Sequence, residues 1–170
     1  MSGVVVADSG PIIHLSRVGF VDLLHALYGR ITVPRAIFEE VVTQGAGQPG
    51  SDELAHAEWT DLVDHDEDDP LFRALLQILQ RGESAAIAIA CRRGAGLILI
   101  DDGHARRSAR SAGLSVKGTL GLMVLAKQRG LIDAVAPKIR ELLAQRVWIS
   151  AEVVRRALRE AGEEHAVIAT

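Results

Sequence analysis

Four acidic residues, Asp8, Glu40, Glu83 and Asp102, lie far apart in the chain but hold similar positions relative to its apolar runs. Asp8 ends the run Val4-Val5-Val6-Ala7, and Asp102 follows Leu97-Ile98-Leu99-Ile100. Glu40 sits on the segment Pro34 to Val42, behind the short run Ile31-Thr32-Val33, and Glu83 opens an alanine-rich stretch that reaches Arg93. Continuous apolar runs rich in β-branched residues read as buried strands of a parallel sheet. In an open parallel sheet, ligands bind at the carboxyl ends of the strands. Carboxylates gathered there repel one another unless a hard cation such as Mg²⁺ or Mn²⁺ lies among them. A cation held by carboxylates usually handles phosphate, so the acids point to phosphodiester hydrolysis.

Within that chemistry Asp8 is the expected central ligand. Asp102 shares its metal or holds a second one, and Glu40 and Glu83 act directly or through bound waters. Ser9 is placed to hydrogen-bond a metal-bound water or a phosphate oxygen. Each acid also has a purely structural alternative. Asp8 would serve as a helix cap, although Ser9 can do that alone. Glu39 competes with Glu40 for the same role. Glu83 lies in a first helical turn, where the helix dipole favours negative charge. In the pair Asp101-Asp102, one acid can cap the next helix while the other binds metal, so Asp101 is a ligand candidate as well. Arg106, Arg107 and Arg110 follow within a few residues and offer either phosphate contacts or a solvated helix face. Thr119, beside Gly118 and Gly121, marks a place where backbone approaches phosphate, or a tight turn into a helix. It is not a Walker loop, because the terminal Lys-Ser/Thr is missing. The six histidines form no i, i+4 metal pair and are given no ligand role.

Elements able to bring these acids together follow from pattern and composition. Of 170 residues, 48% are hydrophobic and only 4% aromatic. The core must then be mostly Ala, Val, Leu and Ile, as in a helix-covered parallel sheet, and the length suits one domain over 1–170. Strands are expected at Val4–Ala7, Ile31–Val33 and Leu97–Ile100, with a further buried one at Leu114–Val116 and an edge strand within Glu58–Val63. Helices are expected at 11–18, 21–27, 35–42, 52–57, 71–79, 83–93, 122–128 and, capped by Asp133, up to Gln145. A basic helix follows Asp102. Ser150 caps a last helix running to about Ala161, within a C-terminal extension over 147–170. Strands alternating with helices imply an α/β fold, a three-layer α/β/α sandwich around a mainly parallel sheet with right-handed crossovers.

Residues 1–102 carry seven Lys/Arg against sixteen Asp/Glu, whereas 103–159 carry twelve against three. Acids for a metal in one half and bases for phosphates in the other suit a nuclease, although solvated helix faces account for many such charges. The six acids between Asp61 and Asp69 lack the glycine of an EF-hand and read as a solvated loop. The single cysteine, Cys91, excludes an internal disulfide and a Cys-rich zinc site, and reads as a small buried residue. No signal-peptide pattern or bilayer-length apolar run is present, so a cytoplasmic protein without a membrane partner is expected.

The stretches Val-Val-Ala-Asp8-Ser9, Val33-Pro34…Glu40-Val41, Gly82-Glu83-Ser-Ala-Ala-Ile-Ala-Ile-Ala90 and Leu-Ile-Asp101-Asp102-Gly-His-Ala-Arg106 together resemble a PIN-domain protein. Val116-Lys-Gly118-Thr119-Leu-Gly121 further resembles a prokaryotic PIN branch close to VapC-type toxins. The resemblance spans about residues 4 to 160. It implies a Mg²⁺- or Mn²⁺-dependent endoribonuclease whose family acids map onto Asp8, Glu40, Glu83 and Asp102. It also implies a homodimer and, for toxin members, a small antitoxin protein that blocks the site. The chain departs from the commoner toxin pattern in having Glu83 as third acid, a double Asp at the fourth position and an extra C-terminal helix. Two rival classes are a catalytically silent RNA- or protein-binding module on the same fold and a receiver-like phosphoacceptor. The latter expects its paired acids at the first strand, where this chain has a single Asp.

Overall fold

The computed structural model describes residues 3–166, so the outermost residues of the expected C-terminal extension, 167–170, lie outside the described residues. Five parallel strands form one sheet: β1 (Val5–Ala7), β2 (Ile31–Pro34), β3 (Thr60–Val63), β4 (Leu97–Leu99) and β5 (Ser115–Lys117). Their order is β3-β2-β1-β4-β5. Val6 of β1 is opposite Thr32 on one side and Ile98 on the other. The chain thus builds outward from β1 in one direction and then in the opposite one. This reversal between β1 and β4 is the crevice where open α/β sheets bind ligands.

The helices are α1 (Ser9–Arg17), α2 (Leu23–Tyr28), α3 (Arg35–Phe38), α4 (Ser51–Ala55), α5 (Pro70–Leu75), α6 (Arg81–Arg92), α7 (Gly103–Ser111), α8 (Thr119–Gln128), α9 (Ala136–Ala144) and α10 (Ala151–Glu160). α6 crosses β1, β2 and β4, while α1, α2 and α10 pack around α8, giving a three-layer α/β/α sandwich. The alanine-rich sequence of α6 makes this crossing close: Gly82 and all of Ser84 to Ala90 are buried. Every residue of β1 and β2 is buried, as expected of strands covered on both faces. β3 and β5 are the edges and are only partly covered. The expectation that Leu114–Val116 is a buried strand is therefore corrected. The strand begins one residue later, on the rim, and exposes Ser115.

Two further local corrections have physical causes. The expected α-helix over 35–42 gives way after Phe38 to a π-helical turn, Glu39–Gln44, closed by the bond from Gly45 N–H to the Glu40 carbonyl at 2.9 Å. A side chain at position 45 would lie 2.6 Å from the Val41 carbonyl oxygen, so glycine permits this wider turn. The expected cap of α9, Asp133, does not cap it. Glu163 does so from beyond α10, accepting the Val135 N–H at 2.7 Å and the Ala136 N–H at 2.8 Å, with Lys127 Nζ at 2.8 Å. Ser150 caps α10 as expected, accepting the Val153 N–H. Val154, Ala157 and Leu158 bury the inner face of that helix in the same core as the sheet. Cys91 is partly exposed on α6 rather than buried.

Candidate active site

Four polypeptide segments carry the acids to the carboxyl ends of β1 and β4. Asp8 directly follows β1, and its backbone N–H continues the ladder to the Leu99 carbonyl at 2.9 Å. The strand therefore fixes where its side chain starts. Asp8 precedes α1 but makes no side-chain cap bond, so the capping alternative does not hold its carboxylate. Only 5% of the residue is exposed. Burial above all pushes its carboxyl from the ordinary 3.8 to about 7. The Ser9 backbone N–H opposes that rise, while repulsion from Glu83, Glu40 and Asp101 adds to it.

The π-turn places Glu39 and Glu40 differently. Glu39 is exposed, whereas Glu40 is partly buried and turned toward the start of α6. A Cβ on Gly82 would stand only 3.1 Å from Glu40 Oε2, so the missing side chain leaves room for the carboxylate. π-turns inside helices often occur at functional sites, and here the wider turn re-aims one acid. Glu83, in the first turn of α6, also has a structural task. Its Oε2 accepts the Gln80 N–H at 3.0 Å in a capping box. Burial raises its carboxyl, the Gln80 bond opposes this, and Asp102 and Glu40 add repulsion.

The paired acids divide their work. Asp102 caps α7, its Oδ1 accepting the His104 N–H at 2.8 Å and the Ala105 N–H at 2.9 Å. It is exposed and still leaves Oδ2 free of these bonds. Asp101 is the member that adds to the repulsion on Asp8. Its Oδ2 receives His14 Nδ1 at 2.8 Å and Thr119 Oγ1 at 2.6 Å, and its Oδ1 receives the Thr119 N–H at 2.7 Å. Burial works against its charge, but these hydrogen bonds outweigh burial and hold the carboxyl below its usual range.

The sequence-level candidates for substrate contact separate in the same way. Thr119 directs both of its donors to Asp101, so its hydroxyl positions that acid. Arg106 is partly buried and donates to the Ile100 carbonyl at 3.1 Å. A Cβ on Gly118 would fall 2.5 Å from Arg106 Nη1 and 2.8 Å from Asp101 Oδ1, so glycine lets both side chains into the β5–α8 turn. Arg107 is exposed and pairs with His104 Nδ1 at 2.9 Å. Ser9, the first residue of α1, is partly exposed beside Asp8. Sequence reasoning passed over His14. With Gly10 four residues earlier, it forms one face of α1 toward Asp101, where a Cβ on Gly10 would stand 3.2 Å from Asp101 Oδ2. That i, i+4 pairing of glycine and histidine is a signal, but one readable only once Asp101 is known to lie opposite.

Among the described residues no arginine or lysine forms an ion pair with Asp8, Glu40, Glu83 or Asp102. Nor do any three His, Cys, Asp or Glu side chains among them close into a ready-made metal cage. The donor set is nevertheless all hard oxygen, and it includes a buried carboxylate with no basic side-chain partner among the described residues. That fits Mg²⁺, which takes one or two carboxylates, keeps several waters and uses substrate phosphate as a further ligand. Asp8, Glu40, Glu83 and the free oxygen of Asp102 are the side chains able to hold it, with Asp101 beside them. No helix among the described residues is long and apolar enough to cross a membrane. No curated protein matches the chain. The family model described as PIN domain, a class whose members are generally nucleases, matches residues 4–163, nearly the whole chain. By that match the protein belongs to the PIN-domain family.

Proposed function

We propose that the protein is a divalent-metal-dependent endoribonuclease that hydrolyses RNA phosphodiester bonds. The observation that carries this reading is Asp8, a buried carboxylate ringed by acids and paired with no basic side chain among the described residues. A protein keeps so unfavourable an arrangement where a cation offsets it. A bound Mg²⁺ or Mn²⁺ supplies Lewis-acid polarisation of a phosphate and a water acidic enough to act as nucleophile near neutral pH. Asp8, Glu40 and Glu83 surround that position with negative charge. His14 and Thr119 fix the rotamer of Asp101 and favour its charged form near Asp8. Arg106, fixed by the Ile100 carbonyl, presents its remaining N–H groups to phosphate oxygen.

The test is cleavage of single-stranded and structured RNA with Mg²⁺ or Mn²⁺ by the wild type and Asp8→Asn. Metal-dependent cleavage lost in the variant is expected, and equal activity in both removes the reading. The likeness to VapC-type sequences supports extending it to a toxin with a small antitoxin partner, tested by co-purification with the product of an adjacent gene. A second reading is favoured by one observation. Asp101 and Asp102 already have hydrogen-bond donors of their own, as suits a silent RNA- or protein-binding module. Tight RNA binding without metal-dependent turnover selects it.

A further inference from the structure

A cleft of about 790 Å³ opens beside the acids, between α7, the β5–α8 turn and α10. Its lining carries the acids Asp101, Asp102 and Glu160 and the bases Arg106, Arg110, Lys117 and Arg156, with Arg156 Nε 4.0 Å from Glu160 Oε1 on the exposed face of α10. Trp148 lines it too, and 86% of that residue is exposed. A large aromatic side chain so exposed needs a reason. The chain around it does not swing freely: Val147 and Ile149, on either side, pack against the core. Arg146, just before, holds a positive φ of 61° at the end of α9, a conformation that favours glycine. The Arg146 N–H bonds the Leu143 carbonyl at 2.9 Å, and the Val147 N–H bonds the Leu142 carbonyl at 3.0 Å. Backbone and neighbours thus fix the position of residue 148 at the cleft.

The arginines of the lining crowd one another. Burial lowers the Arg106 guanidinium, Arg110 and Arg156 lower it further, and Asp101 opposes them. Like charges converge from α7 and α10 on one cleft, which suits a polyanion. A flat apolar face beside them suits a nucleobase, and only an unpaired base has a face to offer.

We propose that this cleft is the path of an unpaired RNA strand, with Arg106, Arg110 and Arg156 on its phosphates and one base stacked on Trp148. The inference deepens the nuclease reading and rests on it for the placing of the scissile bond, but strand binding is measurable without cleavage. The experiment is fluorescence anisotropy of the full chain in EDTA with labelled 12-nucleotide unstructured RNA, the same sequence as DNA, and an RNA duplex. Trp148→Ala should weaken single-stranded RNA binding roughly 5- to 100-fold, while Trp148→Phe keeps most of it. Arg156→Gln should reduce the salt slope by about one unit. The duplex should bind more weakly and be indifferent to Trp148→Ala.

Unchanged single-strand binding in Trp148→Ala overturns the proposal, as does equal loss for strand and duplex. Failure of the wild type to bind any of the oligonucleotides also overturns it and leaves a protein as the cleft's occupant. Circular dichroism melting of each variant separates these outcomes from misfolding, which exposure of the replaced residues makes unexpected. Loss of binding in Trp148→Ala without any metal-dependent cleavage by the wild type keeps the strand path and removes the nuclease. Cleavage by the wild type with Trp148→Ala binding unchanged does the reverse.

Discussion

Two acidic regions of the molecule handle negative charge in opposite ways. Between Asp61 and Asp69, each acid has an arginine. Arg30 meets Asp61 at 2.6 Å, Arg35 meets Asp64 at 2.7 Å, and Arg73 meets Asp68 at 3.6 Å. Arg81 meets Glu67, and Arg92 meets both Asp66 at 3.0 Å and Asp69 at 3.2 Å. Asp69 also caps α5, accepting the Leu71 N–H at 2.8 Å. At the ends of β1 and β4, Asp8 is buried and has no such partner among the described residues. The denser run of acids is thus the structurally neutralised one, and the sparser set is the one without basic partners among the described residues. Number of acids in sequence says little; pairing in space decides.

Asp8 and the loop acids also respond to pH with opposite sign. In the loop, Arg30 lowers the Asp61 carboxyl, the Asp68 N–H and Arg92 lower that of Asp66, and Arg81 lowers that of Glu67. Such groups stabilise the fold above their unfolded values and lose that contribution as pH falls through their lowered ones. Asp8 is raised, so the folded protein binds its proton more tightly than the unfolded chain does. Its stabilising contribution is complete below 3.8 and is lost as pH rises to about 7.

The sharpest way to break the contrast is Asp8→Asn beside Asp66→Asn. The first should lower metal-dependent RNA cleavage by at least about a hundredfold, roughly 3 kcal/mol in the barrier, and the second should leave it unchanged. Equal effects would mean that the two clusters do not differ in kind. Next in size is stability. Without divalent metal at pH 8, Asp8→Asn should be more stable than the wild type by about 2–4 kcal/mol, because it removes a buried charge. That gain should shrink toward zero near pH 4, and Mg²⁺ should raise the melting temperature of the wild type only. A destabilised Asp8→Asn at pH 8 would contradict the buried-charge account. Asp69→Ala should cost about 1 kcal/mol through the lost cap of α5, read as a lower denaturant midpoint with cleavage unaltered. Smallest is Arg35→Gln, expected to fall within about 0.5 kcal/mol of wild type because its partner Asp64 is exposed and screened. A larger loss would show that the arginines act as one network.

The strands and their acids were legible because each apolar run ends where its acid begins, and a strand fixes the direction of the next residue. The partners of those acids were not. His14 and Asp101 are 87 residues apart, and Thr119 is 18 residues beyond Asp101, so only the folded sheet edge brings them together. The π-turn that separates Glu40 from Glu39 depends on a close approach at Gly45 that no periodicity records. The rim position of β5 was hidden because Leu114 and Val116 look as buried as any central pair. Asp133 was the local choice of cap for α9, but Glu163 arrives from 27 residues beyond Ala136 and takes the place.

That last contact has a mechanical consequence. By fastening itself to the start of α9, Glu163 buckles the stretch from α9 through Trp148 and α10 into a closed belt around one side of the molecule. A belt held at its clasp loosens as a whole. The clasp joins residues on the helical side of the molecule and touches no strand, so loosening it by Glu163→Gln should free the segment that carries Trp148 while leaving the sheet's own hydrogen bonds in place.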